Sequence, residues 1–391
     1  MTETENPSVN DSTKDELGRR HAIPILHTRG THYDVGFDIG RTFSGLIRSY
    51  MKSYRPLNET YLPLYETEAG RNVYKETLAC AEAQYPGYVR EIRGTADGAN
   101  VPFHELFLMH LDDIVPNVAT GIGGNSLPVG CSTVICNHPN QEFLGHNEDA
   151  LAETLNHWYL VSARVVEPGQ PEENFVSLSY AGFLPGYTMG YNCHGLVYSI
   201  NTLSAATLRS GKTPRYFLAR ALLAAESFEQ VLQILGNEGC GAAEGFSVNL
   251  TFLTQVGERL FRNIEVGPCA ANANQSQLNV LTVRPGETAY HCNKYLRLEI
   301  PEVEGLIIDS SVQRMEAICR YSPARSRQDI IDILSDQSGD QVRTIVKIFY
   351  RLPIELLPRR NSHRYRERPS SLRTRNSCPS GAHRSLKRFS A

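Results

Sequence analysis

The pattern of the chain changes at Gly130, and this change constrains the fold more than any other feature. Before Gly130, apolar residues recur at helical spacing over 33–54, and 72–97 and 103–111 continue in the same style. After Gly130, short β-branched and aromatic runs such as STVICN, EFLGHNE and NFVSLSYAG lie between turn residues. Runs of strands with segregated helices predict a layered α+β fold with a helical N-terminal portion.

One helical block interrupts the predicted strands, which continue through HWYLVSARVVE, GLVYSINTL, SVNLTFLTQ and RLFRNIEV. Thr213 and Pro214 are typical of an N-cap and a first helical position. Ser227, with Gln230 three residues later, predicts the cap of a second helix, and Gly236 predicts its end. The strands are expected to form antiparallel sheets.

Cysteine usage and the N-terminal residues both bear on the cellular compartment of the protein. The nine cysteines are an odd number and form no CxxC pair, which favours reduced thiols and argues against a zinc site. The polar stretch 1–20 has no apolar h-region and predicts a disordered leader. No run approaches the roughly 20 apolar residues that span a bilayer. We therefore expect a cytoplasmic protein that does not cross a membrane.

Gly130 and Cys131 stand where a loop rich in Gly, Pro, Asn and Ser gives way to a strand. A thiol is a nucleophile only as the thiolate and needs a base. If the Gly130–Cys131 bond is cut, Cys131 gains an α-amine that can serve as that base. The thiol can make the cut itself by attacking the Gly130 carbonyl, and glycine leaves that carbonyl open. A buried core cysteine is the other interpretation of this position.

The segment GCSTVICNHPNQEFLGHNEDA resembles the processing and catalytic segment of the acyl-CoA:isopenicillin N acyltransferase family. These are C45 peptidase-type N-terminal-nucleophile (Ntn) hydrolases, with a G-C-[ST] nucleophile and a G-x-N-x-D motif on a hairpin. Here Asp149 lies eighteen residues after Cys131, as in that family. AYHCNKYL resembles the segment with the oxyanion-stabilising asparagine, here Asn293, and Ser310–Ile318 resembles a family helix start.

A closer resemblance within the family, over about residues 20–335, is to the animal β-alanyl-amine hydrolases. It is carried by EDALAETLNHWYLVSARV, YAGFLPGYTMGYNCHGLVYSINTLSA and LRSGKTPRYFLARALLA. It implies a four-layer αββα Ntn sandwich, with an α-subunit portion 21–130 and a β-subunit portion 131–340 that stay associated after self-cleavage. It also implies a cysteine amidohydrolase that splits N-β-alanyl amines such as β-alanyl-dopamine and carcinine, without a cofactor or metal. An acyl-CoA-dependent N-acyltransferase is the alternative.

The resemblance also implies residue roles. Cys131 would attack the β-alanyl carbonyl, and the Asn293 amide would donate to the oxyanion. Asp149 would orient the Cys131 amine or assist the acyl shift. A turn asparagine and a carboxylate that holds a strand end are the structural alternatives.

The substrate-binding residues are less constrained. Asn147 could hydrogen-bond in the site or form an Asx-turn. Glu148 could hold the β-alanyl ammonium. Strand alternation, however, turns Glu148 away from the Asp149 face, and a position on a solvated face is equally expected for it. Tyr187 or Trp158 could stack on the amine, with core packing as the alternative.

The resemblance fails after Asp340, although Val342–Tyr350 keeps part of a late family strand. Residues 351–391 carry 11 Lys/Arg against 2 Asp/Glu, a balance of +9, which leaves −12 on the rest of the chain. We interpret 341–391 as an atypical basic tail, for which a shifted reading frame is favoured over nucleic-acid binding. The family's late arginine is not assigned, because Arg343 is out of register. A missing terminal strand would leave a sheet edge unpaired.

Overall fold

The computed structural model describes residues 22–121, 130–336 and 346–350. The predicted leader 1–20 and most of the basic tail therefore lie outside the described residues. The same holds for the Gly-rich segment 122–129 immediately before Gly130. The predicted boundaries at 21, 131 and 341 thus remain predictions.

The helices and strands follow the predicted order of a helical portion and then a strand-rich portion. Within the described residues the α-helices are α1 His32–Thr42, α2 Ser44–Ser53, α3 Leu62–Tyr65, α4 Glu68–Gln84, α5 Pro86–Ala99, α6 Phe103–Met109, α7 Ile114–Thr120, α8 Arg215–Leu222, α9 Phe228–Gly236, α10 Leu306–Ile318 and α11 Arg327–Ser335. The strands are β1 Ile25–Gly30, β2 Gly130–His138, β3 Gln141–Ala150, β4 Trp158–Val165, β5 Glu173–Tyr180, β6 Met189–Asn192, β7 Leu196–Leu203, β8 Gly245–Phe252, β9 Phe261–Gly267, β10 Gln277–Val283, β11 Glu287–His291 and β12 Val346–Tyr350. A π-helical turn, Pro56–Tyr61, and a 3₁₀ turn, Ala152–Thr154, complete the described elements.

Two sheets form the centre of the molecule. Within the described residues, one sheet has eight strands in the order β1-β4-β5-β6-β7-β8-β9-β10, and the other has four in the order β11-β2-β3-β12. Neighbouring strands are antiparallel as predicted, except that β1 pairs with β4 in parallel. The backbone of β12 pairs with β3, so the late strand that the family resemblance implied covers the edge of the smaller sheet.

The layers follow from strand alternation in β2. Val134 and Cys136 face outward and pack with Ile318 and Ile330 of α10 and α11. Ile135 faces inward and packs with Phe261 and other residues of the larger sheet. On its far side the larger sheet packs against α1, α5, α8 and α9 in the main core. The order is helix, sheet, sheet, helix, and the predicted four-layer αββα fold is confirmed.

The N-terminal helical portion is also confirmed, with one interruption. The predicted helix over 33–54 breaks between α1 and α2 at Phe43, which has φ −107° and ψ 20°. The Phe43 ring stacks on Tyr159 of the larger sheet, with 3.9 Å between centroids and 9° between planes. Tertiary packing therefore fixes the position of the break.

The second helical block differs from prediction at two ends. Helix α8 begins at Arg215, one residue later than predicted, because the Thr213 hydroxyl is used by Asn237 at 2.6 Å and does not cap. The Glu244 carboxylate accepts from the Arg215 N–H at 3.1 Å instead. Ser227 caps α9 as predicted, by accepting from the Gln230 N–H, but the left-handed residue at its end is Asn237 and not Gly236.

The described helices bear on the membrane prediction. None of those within 22–121 and 130–336 is both long and apolar enough to cross a bilayer. The cytoplasmic location stays a prediction.

Candidate active site

Cys131 is the second residue of β2, and its thiol points into the space between the two sheets. It pairs across the hairpin with Glu148 of β3, and cross-strand partners share a face of the sheet. The thiol accordingly lies 3.6 Å from Glu148 Oε2, to which it donates a hydrogen bond. Both side chains are buried, with 4% of Cys131 and 8% of Glu148 exposed.

Glu148 therefore differs from the sequence expectation. The alternation argument correctly separates Glu148 from Asp149, but the same register places Glu148 beside the thiol and not on a solvated face. Its Oε2 also lies 3.1 Å from His146 Nε2, two residues earlier on the same face. Glu148 thus links the thiol to a buried histidine.

Asn293 follows β11 and holds the peptide nitrogen of Cys131. The Cys131 N–H donates to Asn293 Oδ1 at 2.7 Å, and Asn293 Nδ2 donates to the Thr202 carbonyl at 2.9 Å. The amide orientation is fixed because Arg314, which can only donate, also contacts Oδ1, at 2.8 Å. In this uncleaved state the Asn293 oxygen, and not its NH₂ group, faces the nucleophile residue.

Arg314 on α10 is a site residue that sequence reasoning missed. Its Nη1 donates to the Cys131 carbonyl at 2.5 Å and to Ser132 Oγ at 2.9 Å, while Nη2 donates to Asn293. The available signal was the segment Ser310–Ile318, which resembles a family helix start and contains this arginine. Ser310, one turn earlier, contacts Arg314 Nε at 3.3 Å.

The same guanidinium explains the glycine at position 130. A Cβ on Gly130 would lie 2.5 Å from Arg314 Nη2 and 2.6 Å from Asn293 Oδ1. Carbon atoms do not approach polar atoms that closely without displacing them. Gly130 therefore allows Arg314 and Asn293 to pack closely against the chain at the Gly130–Cys131 junction.

The electrostatics of the site keep the thiol protonated. Burial raises the pKa of Cys131 well above its ordinary value, and the charges of Glu148 and Asp149 raise it further. The Arg314 charge acts in the opposite direction but is outweighed. Proton removal from Cys131 therefore needs an acceptor in direct contact.

Asp149 and Asn147 lie on the other face of β3 from Glu148. Asp149 is 3% exposed, is the cross-strand partner of Gly130, and lines the cavity described below. Asn147 Nδ2 donates to the Leu334 carbonyl of α11 at 2.6 Å. The structure thus brings Asp149 to the nucleophile and directs Asn147 toward the outer helices.

A cavity of about 120 Å³ opens at Cys131. Tyr187 lines it, with its hydroxyl 2.6 Å from Thr202 Oγ1 and its ring 4.2 Å from the Tyr216 ring. Trp158 lies in the main core. The other aromatic residues that line the cavity are Tyr50, Tyr54, Tyr61, Tyr180, Phe183 and Tyr216.

Acidic groups outnumber basic ones along this cavity. Among the described residues that line it, Asp112, Asp113, Glu148 and Asp149 are acidic and Arg215 is basic. Arg215 Nη2 lies 2.6 Å from Asp112 Oδ2, and Nη1 lies 2.8 Å from Asp113 Oδ2. The cavity therefore favours a cationic ligand.

A third carboxylate, which does not line the cavity, lies close to the Arg215 guanidinium. Glu244 is fully buried, with Oε1 3.7 Å from Arg215 Nε. Burial raises the pKa of Glu244 well above its ordinary value despite the opposing Arg215 charge. This cluster was not predicted, because charged residues usually face solvent.

Two groups of side chains have the spacing of metal ligands. These are Cys131, His146 and Glu148, and Asp112 with Asp113 and Glu244, each with ligand atoms within 4.8 Å of one another. In the first group, hydrogen bonds join the three side chains to one another. In the second group, the positive charge of Arg215 offsets the negative charge of the carboxylates. Both groups are therefore accounted for by contacts inside the protein.

Comparisons with known proteins identify a family and a relative of this chain. The profile of the family described as "Acyl-coenzyme A:6-aminopenicillanic acid acyl-transferase" matches residues 136–349. A relative from Drosophila melanogaster, described as "Beta-alanyl-dopamine/carcinine hydrolase", is 48% identical over 330 residues. That alignment covers 83% of this chain and 85% of the relative.

Proposed function

Because this chain belongs to the acyl-coenzyme A:6-aminopenicillanic acid acyl-transferase family, we propose that it is a self-cleaving cysteine amidohydrolase of β-alanyl amines. The observation that carries the proposal is the environment of one peptide bond. The N–H of the Gly130–Cys131 peptide donates to Asn293, Arg314 donates to the Cys131 carbonyl of the next peptide, and the Cys131 thiol opens onto an acidic, aromatic cavity.

Self-cleavage begins when the Cys131 sulfur adds to the Gly130 carbonyl carbon. Collapse of that adduct breaks the Gly130–Cys131 amide and leaves a thioester and a primary amine. Water then adds to the thioester, which releases a Gly130 carboxylate and restores the Cys131 thiol. The 2.7 Å contact to Asn293 Oδ1 suits both the peptide N–H before cleavage and the amine after it.

The new amine supplies what the buried thiol needs for turnover. An α-amine has a pKa near 7.7–8.0 and lies on the same residue as the thiol, so it can accept its proton. The thiolate attacks the β-alanyl carbonyl, the amine product leaves, and water releases β-alanine. The Asn293 NH₂ has two N–H bonds, of which Thr202 uses one, and we assign the other to the oxyanion.

The cavity supports a cationic acyl group. A β-alanyl group ends in an ammonium, which carboxylates and aromatic faces both attract. Asp112 and Asp113 provide the carboxylates and share the single positive charge of Arg215, and Tyr187 provides a ring. The name of the 48% identical relative points to the same substrates.

The two fragments are expected to remain associated, because the main core includes residues from both sides of the cut. Arg220 of α8 is fully buried and lies 2.9 Å from Glu91 of α5. Arg215 pairs with Asp112 in the same way across the two portions. Separating the fragments would leave these charges buried without partners.

Acyl transfer from acyl-CoA is the second candidate, which the family name favours. Both activities would use Cys131, and they differ in whether water or an amine receives the acyl group. Incubation with carcinine, with and without a second amine, separates them. Hydrolysis is supported if β-alanine is released at a rate that does not depend on the second amine. It is contradicted if the β-alanyl group is transferred to the second amine to give a new amide.

A further inference from the structure

Self-cleavage poses a chemical problem that turnover does not. Before the cut, the Cys131 nitrogen is an amide that donates to Asn293, so it has no free lone pair to accept a proton. The thiol is buried and resists ionisation. The first step therefore needs a different acceptor within reach of the sulfur.

A directed chain of buried hydrogen bonds leads to such an acceptor. It begins at Arg297, which can only donate, so the Asn263 amide must present its oxygen to that guanidinium. Asn263 Nδ2 then donates to Asn249 Oδ1 at 2.7 Å. Asn249 Nδ2 in turn donates to Asn201 Oδ1 at 2.7 Å. Each amide orientation follows from the one before it.

The chain then fixes the tautomer of His146. The Thr133 hydroxyl donates its one hydrogen to Asn201 Oδ1 at 2.9 Å. Its oxygen must therefore accept from His146 Nδ1, 2.8 Å away, which carries a hydrogen. His146 Nε2 and Glu148 Oε2 lie 3.1 Å apart and can hold that distance favourably only with a proton between them. Histidine and glutamate thus form a proton-sharing pair in contact with the thiol.

We propose that Glu148 is the catalytic residue that accepts the Cys131 thiol proton during self-cleavage, with His146 as its positioning residue. The S–H bond breaks as the bond from sulfur to the Gly130 carbonyl carbon forms, and the proton moves to Glu148 Oε2. When the amide bond breaks, the same proton is returned to the departing Cys131 nitrogen. This role rests on the proposed self-cleavage and differs from the ammonium-binding role expected from sequence.

The test follows self-cleavage over time by denaturing mass analysis. Glu148→Gln preserves the shape but removes the acceptor, and we expect cleavage to slow by about 10²-fold or more. The matched control is Glu142→Gln, the same change on the same strand at a side chain that is 38% exposed, which should cleave normally. Hydroxylamine cleaves thioesters, so it should not restore fragments in Glu148→Gln if the acyl shift is blocked.

Three outcomes are distinguished. A wild-type chain that stays intact removes the proposed self-cleavage itself. If the wild type cleaves and Glu148→Gln cleaves at the same rate, only the role of Glu148 is overturned. Restoration of cleavage in Glu148→Gln by hydroxylamine also overturns it, because the acyl shift would then be intact.

His146 is tested by a conservative pair of variants. His146→Gln keeps an N–H donor for Glu148, whereas His146→Leu does not. At matched Tm, we expect the glutamine variant to cleave at least about tenfold faster, because it keeps a charge-assisted hydrogen bond to Glu148. Equal rates at equal Tm would refute the positioning role.

An independent observation concerns two thiols far from the cavity. Cys80 on α4 and Cys240 in the turn 237–240 have sulfur atoms 3.1 Å apart. A disulfide bond measures about 2.05 Å, so a shift of roughly 1 Å would join them. Cys80 is partly exposed, and Thr213 Oγ1 donates to the Cys240 sulfur at 3.4 Å.

We infer that Cys80 and Cys240 form a disulfide by exchange with a low-molecular-weight disulfide. One thiolate displaces half of that molecule to give a mixed disulfide, and the other cysteine displaces the second half, so two small thiols are released. Cys80 precedes Gly130 and Cys240 follows Cys131, so this bond would tether the two fragments covalently. The pKa of Cys240 is lowered to about 6 by hydrogen bonds from Cys80 and Thr213, which favours exchange near neutral pH.

Oxidised glutathione followed by alkylation and peptide mapping tests this pair, whether or not the chain has cleaved. We expect a linked peptide containing Cys80 and Cys240, and its loss in Cys80→Ser. Cys193, which is exposed, should carry a glutathione adduct in the same sample as an internal control. Alkylation of both Cys80 and Cys240 in a sample where Cys193 is modified would overturn the inference.

Discussion

A methyl group at position 130 should slow self-cleavage. In Gly130→Ala the new Cβ would lie 2.5 Å from Arg314 Nη2 and 2.6 Å from Asn293 Oδ1, so at least one of these groups must move by several tenths of an ångström. Overpacking of this kind costs about 1–3 kcal/mol. Expressed fully in the transition state of cleavage, that cost slows the reaction by roughly 5- to 150-fold.

The assay is the rate at which intact chain converts to fragments, read by denaturing mass analysis. Gly45→Ala is the matched control, because Gly45 lies on α2 and a Cβ there meets no atom within 4 Å. This control should cleave at the wild-type rate.

A second measurement separates cleavage from turnover. After the cut, residue 130 is a chain terminus and no longer joined to the nucleophile, so the cleaved fraction of Gly130→Ala should hydrolyse substrate normally. Cleavage of Gly130→Ala at the wild-type rate would refute the idea that Arg314 and Asn293 pack closely against residue 130.

Three further predictions address the cavity and the core. Asp112→Asn should raise the KM for carcinine by about tenfold or more while self-cleavage is unchanged, because a charge-assisted contact to the ammonium is lost; an unchanged KM contradicts this assignment. Arg215→Met should lower the free energy of unfolding by about 3–5 kcal/mol, measured by urea titration, because buried carboxylates lose their counter-charge; a loss below about 1 kcal/mol contradicts it. Burial lowers the pKa of His110 to about 4 from 6.5, so the unfolded chain binds a proton first and stability falls as pH drops from about 6.5 to 4. The loss of unfolding free energy should approach about 3 kcal/mol and be absent in His110→Gln. Urea titrations that show the same pH dependence for the wild type and for His110→Gln would contradict this prediction.

The strand-rich half was predictable because its signals are local. The β2–β3 hairpin follows from two alternating runs around a turn, where Asn140 adopts φ 64°. The parallel pairing of β1 with β4 was not predictable, because it joins residues far apart in sequence and has no local signature. The strand β6 was missed for a different reason, because its four residues are too few to show a clear alternation.

Some residues of the candidate site were likewise predictable from the sequence, and others were not. Cys131 and Asp149 were found because they match the nucleophile and the acidic motif of the family that the sequence resembles. Glu148 needed only the cross-strand register to be placed beside the thiol. Arg314 was missed because its contact with Cys131 spans 183 residues and arises from the packing of α10 on β2. Asp112 was missed because its counter-charge lies on a distant helix.

The central claim is that Cys131 becomes a chain terminus before it acts on substrate. Denaturing mass analysis of the wild type and of Cys131→Ala tests this most directly. We predict fragments 1–130 and 131–391 from the wild type and an intact chain from the variant. A wild-type chain that stays intact yet hydrolyses β-alanyl amides would contradict the account.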